Sequence, residues 1–140
     1  MEAIKQLSVF VVEDDRFFSE MIQDFLKENQ LFKVSAFSSA ESCIEKLGEN
    51  PDIIVLDYYL DKENPGAING LDALKQIRKI SPETIVIMLS AQHSLNTAAE
   101  LLNMGAFDYV IKNHNAIRVL DKIIKKALTE KSIIQKLGGI

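Results

Sequence analysis

Two hydrophobic patterns alternate along the chain. Short apolar runs come first. "LSVFVV" (Leu7 to Val12), "DIIVL" and "IVIML" hold almost nothing polar, and "FKVSAF" and "FDYVI" are mixed. Runs of this length, rich in β-branched residues, predict strands. Between them, apolar residues recur at helical spacing. "RFFSEMIQDFLKEN" carries Phe18, Met21, Ile22, Phe25 and Leu26 on one side, and "GLDALKQIRKI" carries Leu71, Leu74, Ile77 and Ile80. "SSAESCIEKLGEN" opens on serines that can cap a helix. Glu41 follows Ser38 by a capping-box spacing, and Gly48, Asn50 and Pro51 close the segment. "SLNTAAELLNMGA" predicts a helix ended at Gly105. "AIRVLDKIIKKALTEKSIIQKL" predicts a long last helix with Asn115 as its N-cap.

The order is β-α repeated five times. Strands that are apolar at every position require cover on both faces, so the pattern predicts an α/β fold. Its form is a doubly wound, five-stranded parallel sheet with helices on both faces and right-handed crossovers. A length of 140 residues suits one compact domain. Residues 1–128 complete it, and 129–140 read as a helical extension or the start of a linker. Ile133, Ile134 and Leu137 in that extension could feed a dimer contact or pack on their own domain. One interior connection is unusually long, the stretch from Tyr58 to Asn69 with Pro65 and Gly66. Such loops tend to be functional.

Composition narrows the classes. The net charge is −4, and no arginine-rich arm or aromatic-basic alternation is present, which argues against direct nucleic-acid binding. No apolar run approaches the roughly 20 residues that span a bilayer, so no membrane partner is expected. The single cysteine, Cys43, permits no internal disulfide and reads as a small buried helix residue. A cytoplasmic setting is the simplest expectation.

Ligands of doubly wound sheets sit outside the C-terminal ends of the strands. Past the first strand stand Glu13, Asp14 and Asp15. Past the second stand only Ser38 and Ser39. Asp57 follows the third, Ser90 the fourth and Lys112 the fifth. Any one of these alone would pass for a turn or cap residue. Together they make a set suited to phosphoryl chemistry. An acidic cluster suits Mg²⁺, an ionised aspartate can attack phosphorus, and a hydroxyl and an ammonium can hold the transferring oxygens.

On these residues the chain resembles the CheY-like receiver domains of bacterial two-component response regulators, which have a flavodoxin-like fold. "VFVVEDD" resembles the family's acid pair, here Glu13 and Asp14. "IIVLD" resembles its phospho-acceptor strand, with Asp57 as acceptor. "IVIMLSA" places Ser90 at the hydroxyl position, and "GAFDYVIK" supplies Lys112 and the switch aromatic Tyr109. The resemblance implies a phosphorylation switch that is not a metabolic enzyme. A sensor histidine kinase or phosphotransfer protein would donate to Asp57. Mg²⁺ would be held by Asp14, Asp57 and the backbone carbonyl of Tyr59, with Glu13 acting through water. Lys112 would pair with Asp57 and then with the phosphoryl group. Ser90 and Tyr109 would move together, changing the surface of the fourth helix, fifth strand and fifth helix toward a downstream protein partner.

The chain departs from the family pattern in two places. The family places a proline four residues after the acceptor and a glycine eight after. Here Asp61 is the fourth, and the matching glycine is Gly70, so "DKENPGAIN" contains an insertion whose acids Asp61 and Glu63 could tune metal binding or docking. Asn113 replaces the family's proline after Lys112, so a trans bond is expected there. Tyr59 and Gln92 occupy the positions that influence attack by water, and a bulky Tyr59 with no acid at Gln92 predicts slow self-dephosphorylation. His93 and His114 lie near the same edge and read as loop residues. Of Phe17 and Phe18, at least one is expected in the core and one could contact a kinase.

Two other classes compete with this reading. A Mg²⁺-dependent phosphohydrolase with an aspartyl nucleophile would want an acid at Tyr59 and a cap domain. A flavin module would want a Ser/Thr/Gly-rich loop where three acids stand.

Overall fold

The computed structural model describes residues 6–60, 66–91 and 95–129. The first half runs β1 (Leu7–Val12), α1 (Arg16–Lys27), β2 (Phe32–Phe37), α2 (Ala40–Glu45), a 3₁₀ turn (Leu47–Glu49) and β3 (Ile53–Asp57). The second half runs α3 (Gly70–Ile80), β4 (Ile85–Ser90), α4 (Leu95–Asn103), β5 (Asp108–Ile111) and α5 (Ala116–Leu128). All four strand pairings are parallel, in the order β2-β1-β3-β4-β5. The direction of winding reverses between β1 and β3, where such sheets bind their ligands.

Two cores lie on opposite faces, divided by the period-2 alternation of the strands. Val9, Val11, Ile53, Val55, Ile87, Leu89 and Val110 face α1 and α5, meeting Ile22, Leu26, Leu120 and Ile124. Phe10, Val12, Ile54, Leu56, Val86 and Met88 face α2, α3 and α4, meeting Cys43, Leu47, Leu74, Ile77 and Leu101. The three fully apolar strands are the central ones, which explains why they alternate so little. β2 is an edge strand, and only Phe32 of its six residues is buried.

Several local details differ from the expectations. The N-cap of α2 is Ser39, whose hydroxyl accepts from the Ser42 amide. Ser38 is not the cap, so Glu41 is not a capping-box partner. The α2 helix is short, passing into the 3₁₀ turn and ending at Asn50 with φ 57°. Ile80 is 57% exposed; Gly70 and Ala73 join Leu74 and Ile77 on the buried side of α3. Asn115 precedes α5 but makes no side-chain cap; its Oδ1 accepts from Arg118. Asp15, at first only the third acid of a cluster, is the N-cap of α1 and accepts from the Phe18 amide. No peptide bond is cis among the described residues, as expected for Lys112–Asn113. Residues 130–140, Gln92, His93, Asp61 and Glu63 lie outside the described residues.

Candidate phosphoryl-acceptor and metal site

Strand register assembles the site. Val12 is level with Leu56, so Glu13 and Asp57 come side by side where β1 and β3 end. Asp57 pairs with Leu89, and Ser90 with Ile111, which brings the end of β5 alongside. Alternation then chooses the face. Glu13 continues the series Val9–Val11, Asp57 the series Ile53–Val55, and Lys112 follows Val110, so all three belong to the α1/α5 face. Ser90 and Tyr109 belong to the opposite series, with Met88 level with Tyr109. The predicted residues are therefore divided between two faces of one sheet edge.

Glu13, Asp14 and Asp57 each place a carboxylate oxygen within 4.8 Å of the others. Glu13 and Asp57 are 2% exposed, whereas Asp14 is only half-buried. The Lys112 ammonium lies 2.5 Å from Glu13 Oε1 and 3.4 Å from Asp57 Oδ1. It thus reaches Asp57, the partner the resemblance implies, but lies nearer Glu13. Lys112 also sits over the Phe18 ring, 5.0 Å from its centroid, which favours the cation on that face. Its backbone amide donates to the Ser90 carbonyl at 2.8 Å and ties the ends of β4 and β5 together.

Three buried or half-buried acids and one lysine leave negative charge uncompensated. Burial first, then hydrogen bonding to Asp57 and the charge of Asp57, push Glu13 up from 4.5 to about 8 despite Lys112. Burial also raises Asp57, aided by the charge of Asp14 and opposed by Glu13, Lys112 and the Tyr59 backbone. Burial works against the Lys112 ammonium, but its bond to Glu13 and the charges of Asp57 and Glu13 outweigh it and raise its pKa. Glu13 Oε1 and Asp57 Oδ1 are buried, and among the described residues they share the Lys112 ammonium as their one cationic partner. Inward-facing, under-satisfied carboxylate oxygens are hard donors that a divalent cation would satisfy, so the residues present fit Mg²⁺.

The connection after β3 is held firmly at its base. The Tyr58 amide donates to Leu89 O at 2.8 Å, and the Gly70 amide donates to Tyr58 O at 2.9 Å. Leu60 is 4% exposed in the α2/α3/α4 core. Asn69 caps α3 through the Asp72 amide. A Cβ on Gly70 would lie 2.2 Å from Asp57 O and 2.6 Å from Tyr58 Cα. Glycine at 70 is therefore a packing requirement of the end of β3 itself.

The other expected residues separate clearly. Ser90 is 1% exposed at the end of β4. Tyr109 is half-buried against the α2/α3/α4 core. Phe18 packs on the α1/α5 core, while Phe17 is 77% exposed. His114 is exposed. Cys43 is buried, and burial pushes its thiol up to about 12, as suits an inert packing residue.

The family model for the response regulator receiver domain matches residues 9–125. The chain belongs to that family. Its receiver domain is 30% identical over 118 residues to the chemotaxis protein CheY of Bacillus subtilis, covering 84% of this chain and 94% of that protein. It is 33% identical over 137 residues to the protein-glutamate methylesterase/protein-glutamine glutaminase of the same organism, covering 95% of this chain but 37% of the relative. Among solved structures, the response regulator domain of Thermotoga maritima CheB superposes with a TM-score of 0.73 at 27% identity, covering 90% of this chain and 99% of that one. The receiver domain is thus a phosphorylation-dependent signalling switch of the response-regulator type, and the phosphohydrolase reading is not favoured. No helix among the described residues is long and apolar enough to cross a membrane.

Proposed function

We propose that Asp57 is the phospho-acceptor and that the switch is thrown by transfer from a phosphohistidine. The observation carrying this reading is the convergence of Glu13, Asp14, Asp57 and Lys112 on one sheet edge, with Asp57 held rigidly by β3. An Asp57 carboxylate oxygen forms the new O–P bond as the N–P bond breaks, and that bond's electron pair returns to the donor imidazole. Asp14, Asp57 and the Tyr59 carbonyl are the residues that would hold Mg²⁺, with Glu13 acting through an intervening water. When bound, the ion offsets the carboxylates' charge and stabilises the transferring phosphoryl oxygens.

Lys112 plays two parts in this account. Before transfer it compensates Glu13 and Asp57; afterwards it moves from Glu13 toward the phosphoryl oxygens, where charge has grown. Ser90 donates to a phosphoryl oxygen from the far face of the edge. That movement vacates space beside Tyr109, which shares its face, and Tyr109 turns inward. The bistable surface is α4-β5-α5, where Leu102 and Val119 are already exposed. A downstream protein reads that surface. The donor, a sensor histidine kinase or phosphotransfer protein, docks near α1, where Phe17 offers an uncovered ring. Tyr59 shields the acyl phosphate from water. These steps belong in the cytoplasm, and the receiver's only catalysis is its own phosphorylation and dephosphorylation.

Incubation with acetyl phosphate, with and without Mg²⁺, tests the reading. A switch takes up one phosphoryl group per chain, only with Mg²⁺, and leaves unrelated phosphate esters intact. Repeated turnover of those esters would instead restore the hydrolase reading.

A further inference from the structure

Glu41 stands on α2, away from the acidic cluster, yet its carboxylate turns toward the loop after β3. Its Oε2 accepts the Ile68 amide at 3.0 Å, across 27 residues of sequence. Its Oε1 is buried and has no hydrogen-bond partner among the described residues. A helix-surface glutamate would ordinarily keep both oxygens in water, and giving up hydration on one of them is costly. The carboxylate is free to reach the loop because Ser39 caps α2 and Ser42, not Glu41, stands at the third position to complete the serine pair.

The contact falls at an informative place. Ile68 packs on the α2/α3/α4 core two residues before Gly70. Gly70 in turn clasps Tyr58, the residue between Asp57 and Tyr59. The outgoing limb is anchored by buried Leu60. The returning limb is anchored by the Ile68 side chain and by Glu41. α2 itself is seated through Ala40, Cys43 and Leu47 in the same core. From these contacts, we propose that Glu41 is a positioning residue for the phosphoryl-acceptor site. It fastens the returning limb, residues 68–70, to α2, and so holds the Tyr59 carbonyl where the metal would need it. This inference rests on the metal role proposed above for Tyr59.

The test is Mg²⁺ titration by calorimetry of the intact chain, comparing wild type, Glu41→Ala and Glu41→Gln. Amide hydrogen exchange is read in parallel without metal. Losing one charge-assisted acceptor, with its effect partly relayed to the carbonyl, should weaken Mg²⁺ binding about three- to tenfold in Glu41→Ala. Exchange at Ile68 and Gly70 should quicken while the β3 and β4 amides stay protected. Glu41→Gln keeps an acceptor oxygen and removes the charge, so it should bind within about twofold of wild type. Wild-type affinity in Glu41→Ala would overturn the proposal. So would an equal loss in both variants, because charge and not the hydrogen bond would then be responsible. A wild-type chain that takes up no Mg²⁺ would sink the metal role of Tyr59 as well, and the exchange data would show whether the clasp survives as a purely structural contact.

Discussion

Substituting Gly70 by alanine sets two opposing effects against each other. Alanine is the better helix former by about 1 kcal/mol in a helix interior, less in the first turn where Gly70 stands. Against that, the new Cβ would meet Asp57 O at 2.2 Å, Tyr58 Cα at 2.6 Å and Tyr58 O at 2.7 Å. All three are backbone atoms of β3 and the residue after it, so no flexible side chain can yield. Restoring ordinary contact requires the α3 N-terminus to back away by roughly 1 Å. That motion strains the 2.9 Å bond from Gly70 to Tyr58 O, worth about 1 kcal/mol. Overpacking of this kind costs about 1–3 kcal/mol or more. The net expectation is a loss of roughly 2–3 kcal/mol, which for a chain of this size lowers Tm by about 10 °C. Thermal unfolding followed by circular dichroism reads it. Gly48→Ala is the control, because nothing lies within 4 Å of a Cβ there. If Gly70→Ala melts at or above the wild-type temperature, helix propensity has won and the close approach of α3 to β3 is wrong.

Other expectations follow from the charges around Asp57. The folded-state pKa of Glu13 is raised from 4.5 to about 8, so between those values the folded chain holds a proton that the unfolded chain releases. That contribution to stability is full below about pH 4.5 and is lost as pH rises through 8. The urea midpoint of the metal-free protein should therefore fall from pH 5 to pH 8, and Mg²⁺ should restore it at pH 8; a flat profile contradicts the buried acid pair. Lys112→Met removes the cation that faces both carboxylates, so phosphoryl uptake from acetyl phosphate should slow at least about tenfold in a single-turnover time course. Tyr59→Ala should shorten the acyl-phosphate half-life, and an unchanged or longer half-life would count against shielding.

The strands were the easiest part to read, because a central parallel strand must be apolar on both sides and "VFVV", "IIVL" and "IVIML" are. Strand-end chemistry was legible for the same reason: Glu13, Asp57, Ser90 and Lys112 each interrupt or follow an apolar run. The division of these residues between two faces follows from alternation once the strand register is known, and register depends on contacts between distant segments. Lys112 pairs with Asp57 as the resemblance implies, but its closer partner, Glu13, becomes visible only with that register. The capping-box spacing of Glu41 misleads because serines at both 38 and 39 allow two caps, and its partner, the Ile68 amide, lies 27 residues away. Ile80 fitted a helical stripe, but α3 presents Gly70 and Ala73 to the core, and small residues carry little weight in a hydrophobic pattern.

The central claim is that Asp57 itself takes the phosphoryl group. Peptide mapping after acetyl phosphate treatment in Mg²⁺, on wild type and Asp57→Asn, tests it most directly. The account predicts one phosphoryl group on the peptide carrying Asp57 in the wild type and none anywhere in the variant. A phosphoryl group that persists in Asp57→Asn, or that maps to Glu13 or Asp14 in the wild type, would contradict it.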